Sequence, residues 1–156
     1  MDLYTLLKIA HVIGATVLLG TGAGIAFFML MAHRTRDPAL IAHTAKIVVL
    51  ADTVFTASAV IVQPITGAGL GHLAGYPLLS GWIGLSLILY VVTGLCWLPV
   101  VWIQIRLRNL AAQAVATGAP LPERYFHLFR LWFVLGFPAF AAVLGIVWLM
   151  VTKPSF

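Results

Sequence analysis

Charge is the scarcest commodity in this chain: nine Lys or Arg and four Asp or Glu make up only 8% of its 156 residues. With 62% of residues hydrophobic, against ~45–50% in ordinary soluble domains, a soluble fold is excluded. Cysteine is nearly absent as well. Cys96 stands alone, so no internal disulfide and no CxxC metal or redox motif can form, and it reads as a packing residue. Hydrolase and nucleotide-enzyme chemistry have nothing to stand on, because there is no HExxH, no phosphate loop and no Ser-His-Asp order. Neither strand alternation nor a low-complexity tract occurs.

What is present is apolar length. A bilayer core of ~30 Å takes about 20 helical residues, and the apolar runs are interrupted in three places, which predicts four membrane-spanning helices at about residues 3–32, 39–69, 82–107 and 124–151. The first interruption is His33 to Pro38, where Asp37 caps the next helix and Pro38 fits its first turn. The second is the Gly-rich stretch Gly67 to Gly81, and the third is Gly118 to Pro122. The first ten residues lack a basic n-region and their apolar run is too long for a signal peptide, so the first helix is expected to persist. The whole of 1–156 reads as one all-α, antiparallel four-helix transmembrane bundle.

Basic residues are retained on the cytoplasmic side of a membrane. Arg34, Arg36, Lys46, Arg106, Arg108, Arg124 and Arg130 fall on one side, against Lys8 and Lys153 on the other. Both termini are therefore expected outside. The net charge of +5 reads as this topology signal together with affinity for anionic lipid heads, not for nucleic acid.

Ionisable groups inside spans are costly and mark sites or wet cavities. Lys8 and His11 lie one turn apart on one face of the first helix. A histidine at that depth suits an axial ligand of haem iron, or a copper or zinc ligand, with Lys8 placed to meet a carboxylate. Alternatively, His11 hydrogen-bonds a neighbouring helix while Lys8 snorkels. His33 shares the face to within about 40° but is ~33 Å further along, too far to share a metal with His11. His72, on the outer side, is a possible second ligand or a solvated loop histidine. In the second helix Asp52, Thr56, Ala59, Gln63 and Thr66 fall on one inward stripe. Gln63, at the depth of His11, is placed to orient the imidazole, or the stripe is a seam between helices. Pro64 frees a backbone carbonyl at that level.

An unpaired carboxylate at Asp52 would be neutralised or matched by a cation, so a pair with Arg106 or Arg130 is expected, serving helix register or a proton relay. Glu123, His127 and Arg130 share a face at the start of the fourth helix, and His43 lies near the same surface; these read as interfacial residues before a second metal site. Gly20, Gly22 and Gly24 allow close approach of another backbone, such as a homodimer partner, or make room for a flat cofactor. Trp82, Trp97, Trp102, Trp132 and Trp148 suit interfacial anchoring and packing at least as well as a stacking pocket.

The stretches Leu7 to Val12, Ala32-His33-Arg34 before Asp37-Pro38, Ala51-Asp52 with Phe55-Thr56, Gln63 to Gly67 and Trp97 to Arg106 together resemble the bacterial integral-membrane family called domain of unknown function 2269. More remotely, the Lys8 and His11 opening and His33 are similar to the HemJ-type protoporphyrinogen oxidases and to the CopD copper-resistance membrane family. That resemblance implies a b-type haem at His11. The third-helix W-x-x-x-K of the HemJ type is read here as Trp82 to Ser86, without its lysine, and its YH pair has no counterpart, so protoporphyrinogen oxidation is not implied. The expectation is an inner-membrane haem b protein that exchanges electrons with a quinone or an external partner. The alternatives are a copper-handling or small-solute protein, for which Met29, Met31 and Met150 are widely dispersed, and a non-catalytic membrane subunit.

Overall fold

Among the described residues every regular element is a helix, and the reasons lie at the helix ends. A computed structural model describes residues 1–79 and 81–155. α1 spans Leu3–Thr35. Asp2 caps it by accepting from the Thr5 amide at 2.8 Å, which satisfies one of the orphan first-turn donors and holds the Asp2 carboxyl below the ordinary carboxylate range. The helix stops at Arg36, whose left-handed backbone (φ 57°) returns its N–H to the His33 carbonyl. Asp37 then accepts from the Ala39 amide at 2.8 Å and Pro38 occupies the first turn, where a missing N–H costs nothing.

The second span is continuous but not uniform. α2 (Pro38–Ala51) passes into a π-helical turn (Asp52–Thr56) and then α3 (Ala57–Leu73). Pro64, inside α3, has no N–H for the Val60 carbonyl four residues earlier. That carbonyl instead accepts from the Tyr90 hydroxyl of the next helix. The proline-freed group is thus satisfied by protein.

α4 (Gly81–Thr117) and α5 (Glu123–Thr152) complete the chain. Two helices run beyond the ends expected from hydropathy. α3 continues through Gly67, Gly69 and Gly71 to Leu73 because those glycines are contact points: a Cβ at Gly67 would stand 3.1 Å from the His11 ring, and one at Gly69 would stand 3.0 Å from Leu7. α4 carries on past Leu107 because Ala111 and Ala114 are buried. It ends at Gly118 (φ 64°), where the Ala119 amide returns to the Ala114 carbonyl at 3.1 Å, a glycine-dependent closure.

All four helical spans are long and apolar enough to cross a membrane, so the protein is a multi-pass, four-helix membrane protein. Its termini lie at one end, together with the 74–79 turn, where the Lys153 ammonium sits over the Tyr76 and Trp82 rings. The turns at residues 36–37 and 118–122 lie at the opposite end. Contacts fix antiparallel registers. Leu7 meets Gly69, His11 meets Gly67 and Gly14 meets Gln63, so numbers rise on α1 as they fall on α3; Leu89 meets Gly145 between α4 and α5. Near the 36–37 and 118–122 turns the helices share a substantial core that includes Met29, Ile41, Ile103, Leu107, Tyr125 and Phe129. Towards the terminal end α3 packs on α1 and α4 on α5, with little shared between the two pairs. Outward, Phe28, Ile61, Ile65, Ile88, Leu95 and Phe137 are exposed and face lipid. Since lipid is as apolar as leucine, helix association here rests on close packing and hydrogen bonds.

Candidate functional site

The His11 site is made by the α1–α3 register. Gly14 gives Gln63 room, since a Cβ there would collide with the Gln63 amide nitrogen. Gly67 lets the His11 ring approach α3 closely, Cε1 nearest. At that approach His11 Nδ1 stands 2.9 Å from Thr66 Oγ1. The Thr66 hydroxyl has one proton, and it donates that to the Val62 carbonyl at 2.8 Å. With that proton on the Val62 carbonyl, Thr66 accepts from His11, an arrangement that assigns the imidazole proton to Nδ1 and the lone pair to Nε2. His11 is half-buried, and Nε2 has no hydrogen-bond partner among the described residues and is not enclosed. A histidine with Nδ1–H anchored and Nε2 open is the arrangement that metal-ligating histidines require.

Sequence reasoning placed Gln63 against the imidazole; the structure assigns that contact to Thr66. Gln63 instead donates from Nε2 to the His11 backbone carbonyl at 2.7 Å and is buried. Its contribution is to lock the α1 backbone that carries the ring. Lys8 is exposed one turn nearer the terminus. His72 is exposed on α3, five residues and about 140° around the helix from Gly67, so it lies off the face that touches His11. His33 is at the other end of α1, stacked on Phe129 (centroids 3.5 Å apart, planes within 3°) and 3.3 Å from the Tyr125 hydroxyl.

A second polar cluster lies deeper, around the π turn. Asp52 and Gln104 are 4% and 3% exposed. Trp97 Nε1 donates to Asp52 Oδ1 at 3.3 Å. The Trp132 indole N–H, which can only donate, requires the Gln104 carbonyl at 3.3 Å, and this turns the Gln104 amide nitrogen towards Asp52 Oδ2 at 3.1 Å. Thr56 is buried beside the carboxyl, but its hydroxyl completes no hydrogen bond. The expected ion pair of Asp52 with Arg106 or Arg130 is not formed. Arg106 lies over the Trp102 ring, 5.2 Å from its centroid, and Arg130 is exposed. Neutral N–H donors supply what a cation was expected to supply, without the cost of desolvating a guanidinium.

Sequence reasoning treated Trp97 and Trp132 as packing and did not select Gln104. Their one legible signal was spacing: Trp97 and Gln104 are seven residues apart, on one face of α4. Glu123, His127, Arg130 and His43 are exposed, and no group of three or more His, Cys, Asp or Glu side chains able to hold a metal ion occurs among the described residues. Met29 is in the core, 18 residues and ~27 Å along α1 from His11.

No curated protein and no solved structure matches the chain, so the HemJ-type and CopD likeness rests on the quoted residues alone. A family model does match, over residues 5–154, nearly the full length of the bundle just described. The chain belongs to the family described as "Predicted integral membrane protein (DUF2269)".

Proposed function

We propose that this protein binds a b-type haem through His11 and serves in membrane electron transfer. The observation that supports the reading is the anchoring of the His11 ring, whose Nδ1 lies 2.9 Å from Thr66 Oγ1; in the Nδ1–H tautomer this leaves the Nε2 lone pair free for a metal. The residues present fit that role. Bound there, haem iron would supply a one-electron centre. Thr66 and Gly67 hold the ring, Gln63 holds its backbone, and Lys8, exposed one turn away, supplies a cation for a propionate. Since Gly14 and Gly67 bring α1 and α3 into direct contact, the space between those two helices is taken by their own side chains.

The basic-residue asymmetry, seven against two, supports a bacterial inner-membrane protein with both termini outside. The His11 level then lies in the outer half, where a quinone or an external redox protein is the partner. Gly20 and Gly24 share one face of α1, with nothing within 4 Å of a Cβ at Gly20, and this face supports a second copy of the chain. Titrating the detergent-purified protein with haem tests the reading: wild type develops a saturable Soret band and His11→Ala does not. Equal spectra for the two would refute it. In a Cys96→Ser background, Leu79→Cys should react with an impermeant thiol reagent from outside and Ala116→Cys only after lysis; the reverse would overturn the orientation.

A further inference from the structure

Asp52 lies 14 residues into the second span, ~21 Å from its start along the helix, which is well inside the membrane. Its two oxygens accept from Trp97 and Gln104, both on α4, and Trp132 of α5 holds Gln104 in that orientation. A carboxylate at such depth is retained where it is used. We propose that Asp52 is an exchangeable proton-binding site, with Thr56 as its switchable partner.

Three features carry this. First, a proton is the cation that the surroundings admit. The N–H groups of Trp97 and Gln104 point their positive ends at the two oxygens, which opposes a metal ion on those sides, while leaving lone pairs on both for a proton. Second, Thr56 is buried, and its hydroxyl lies within interaction range of the Asp52 carboxyl without closing a hydrogen bond of good geometry. A hydroxyl can donate to a carboxylate and accept from a carboxylic acid, so Thr56 serves both protonation states by rotating. An orphan buried hydroxyl is costly unless it has a second use. Third, the π turn begins at Asp52, and such single turns recur at functional positions.

The ionisable groups on the surrounding elements are engaged elsewhere. On α1, His11 bonds Thr66 and His33 bonds Tyr125 of α5. On α2, His43 and Lys46 are exposed, as is His72 on α3. On α4, Tyr90 donates to Val60, Arg106 covers Trp102, and Cys96 is half-buried without a hydrogen bond to Asp52. Arg130 of α5 is exposed. The step itself is simple: a proton from the aqueous phase adds to a lone pair of one Asp52 oxygen, the negative charge is discharged, and no electron moves. It is independent of a haem at His11.

Infrared difference spectra of the liposome-reconstituted protein, recorded between pH values across its folded range, test the proposal. Wild type should show a protonated-carboxyl C=O band that rises and falls reversibly with pH and shifts in heavy water. Asp52→Asn should lack it. If Asp52→Asn does not fold, Trp97→Phe and Thr56→Val provide the reading: each removes one hydrogen-bonding partner and should displace the midpoint of that band by about one pH unit. A spectrum identical in wild type and Asp52→Asn, or midpoints unmoved in both partner variants, would overturn the proposal.

Discussion

Thr66→Val replaces a hydroxyl by a methyl of nearly the same shape and removes the acceptor for His11 Nδ1–H together with the hydroxyl's donation to the Val62 carbonyl. In the structure that bond is 2.9 Å long, and Thr66 is held in place by its own bond to Val62 at 2.8 Å. A fully buried donor left unpaired costs about 1–3 kcal/mol, whereas side-chain bonds between membrane helices average ~0.6 kcal/mol. His11 is only half-buried, which places the loss near ~1 kcal/mol, or about 2–4 °C in melting temperature for a chain of this size. The larger effect is on ligation. Once Nδ1 loses its partner, neither tautomer nor ring angle is fixed, and losses of this kind weaken ligand binding ~10–100-fold. Haem titration, melting in detergent and ¹⁵N spectra of the imidazole should all move in Thr66→Val and recover in Thr66→Ser. A Thr66→Val protein with wild-type haem affinity and an unchanged Nδ1–H tautomer would refute the reasoning.

Other consequences follow from the same contacts. Gly67→Val should cost about 1–3 kcal/mol through overpacking and abolish haem binding, because even a Cβ would stand 3.1 Å from the His11 ring; Gly20→Ala, with open space around it, should leave the melting temperature of the monomer unchanged. Tyr90→Phe strands the Val60 carbonyl and should cost ~1 kcal/mol, but less in a Pro64→Ala background, where residue 64 regains an N–H for that carbonyl; equal costs in both backgrounds would contradict the assignment. Arg106→Ala should cost no more than about 1 kcal/mol, the worth of an exposed cation over an indole, and a loss of ~3–5 kcal/mol, as on breaking a buried ion pair, would show that Asp52 depends on it.

Much of the molecule was readable from local chemistry. Asp37-Pro38 and Gly118 mark helix ends because capping depends on a few adjacent residues, and the 4, 3, 4, 3 spacing from Asp52 to Thr66 marks an inward stripe because helical period is a property of sequence. Partner choice within that stripe was not readable. Whether Gln63 or Thr66 meets the His11 ring depends on the α1–α3 register, set by close approach at Gly14 and Gly67. The glycines also misled at the end of the second span, expected at Gly69: Gly71, beyond it, is still helical and packs against Leu78. At Asp52 the electrostatic demand was legible but its answer was not, since the donors Trp97 and Gln104 come from another helix and are uncharged.

The central claim, that the open Nε2 of His11 is a haem ligand, is tested most directly by a dithionite-reduced minus oxidised spectrum of membranes expressing wild type or His11→Ala at matched levels with ample haem supply. Reducible α and Soret bands that accompany wild type and vanish with His11→Ala are the predicted result. Matched spectra from the two strains would contradict it.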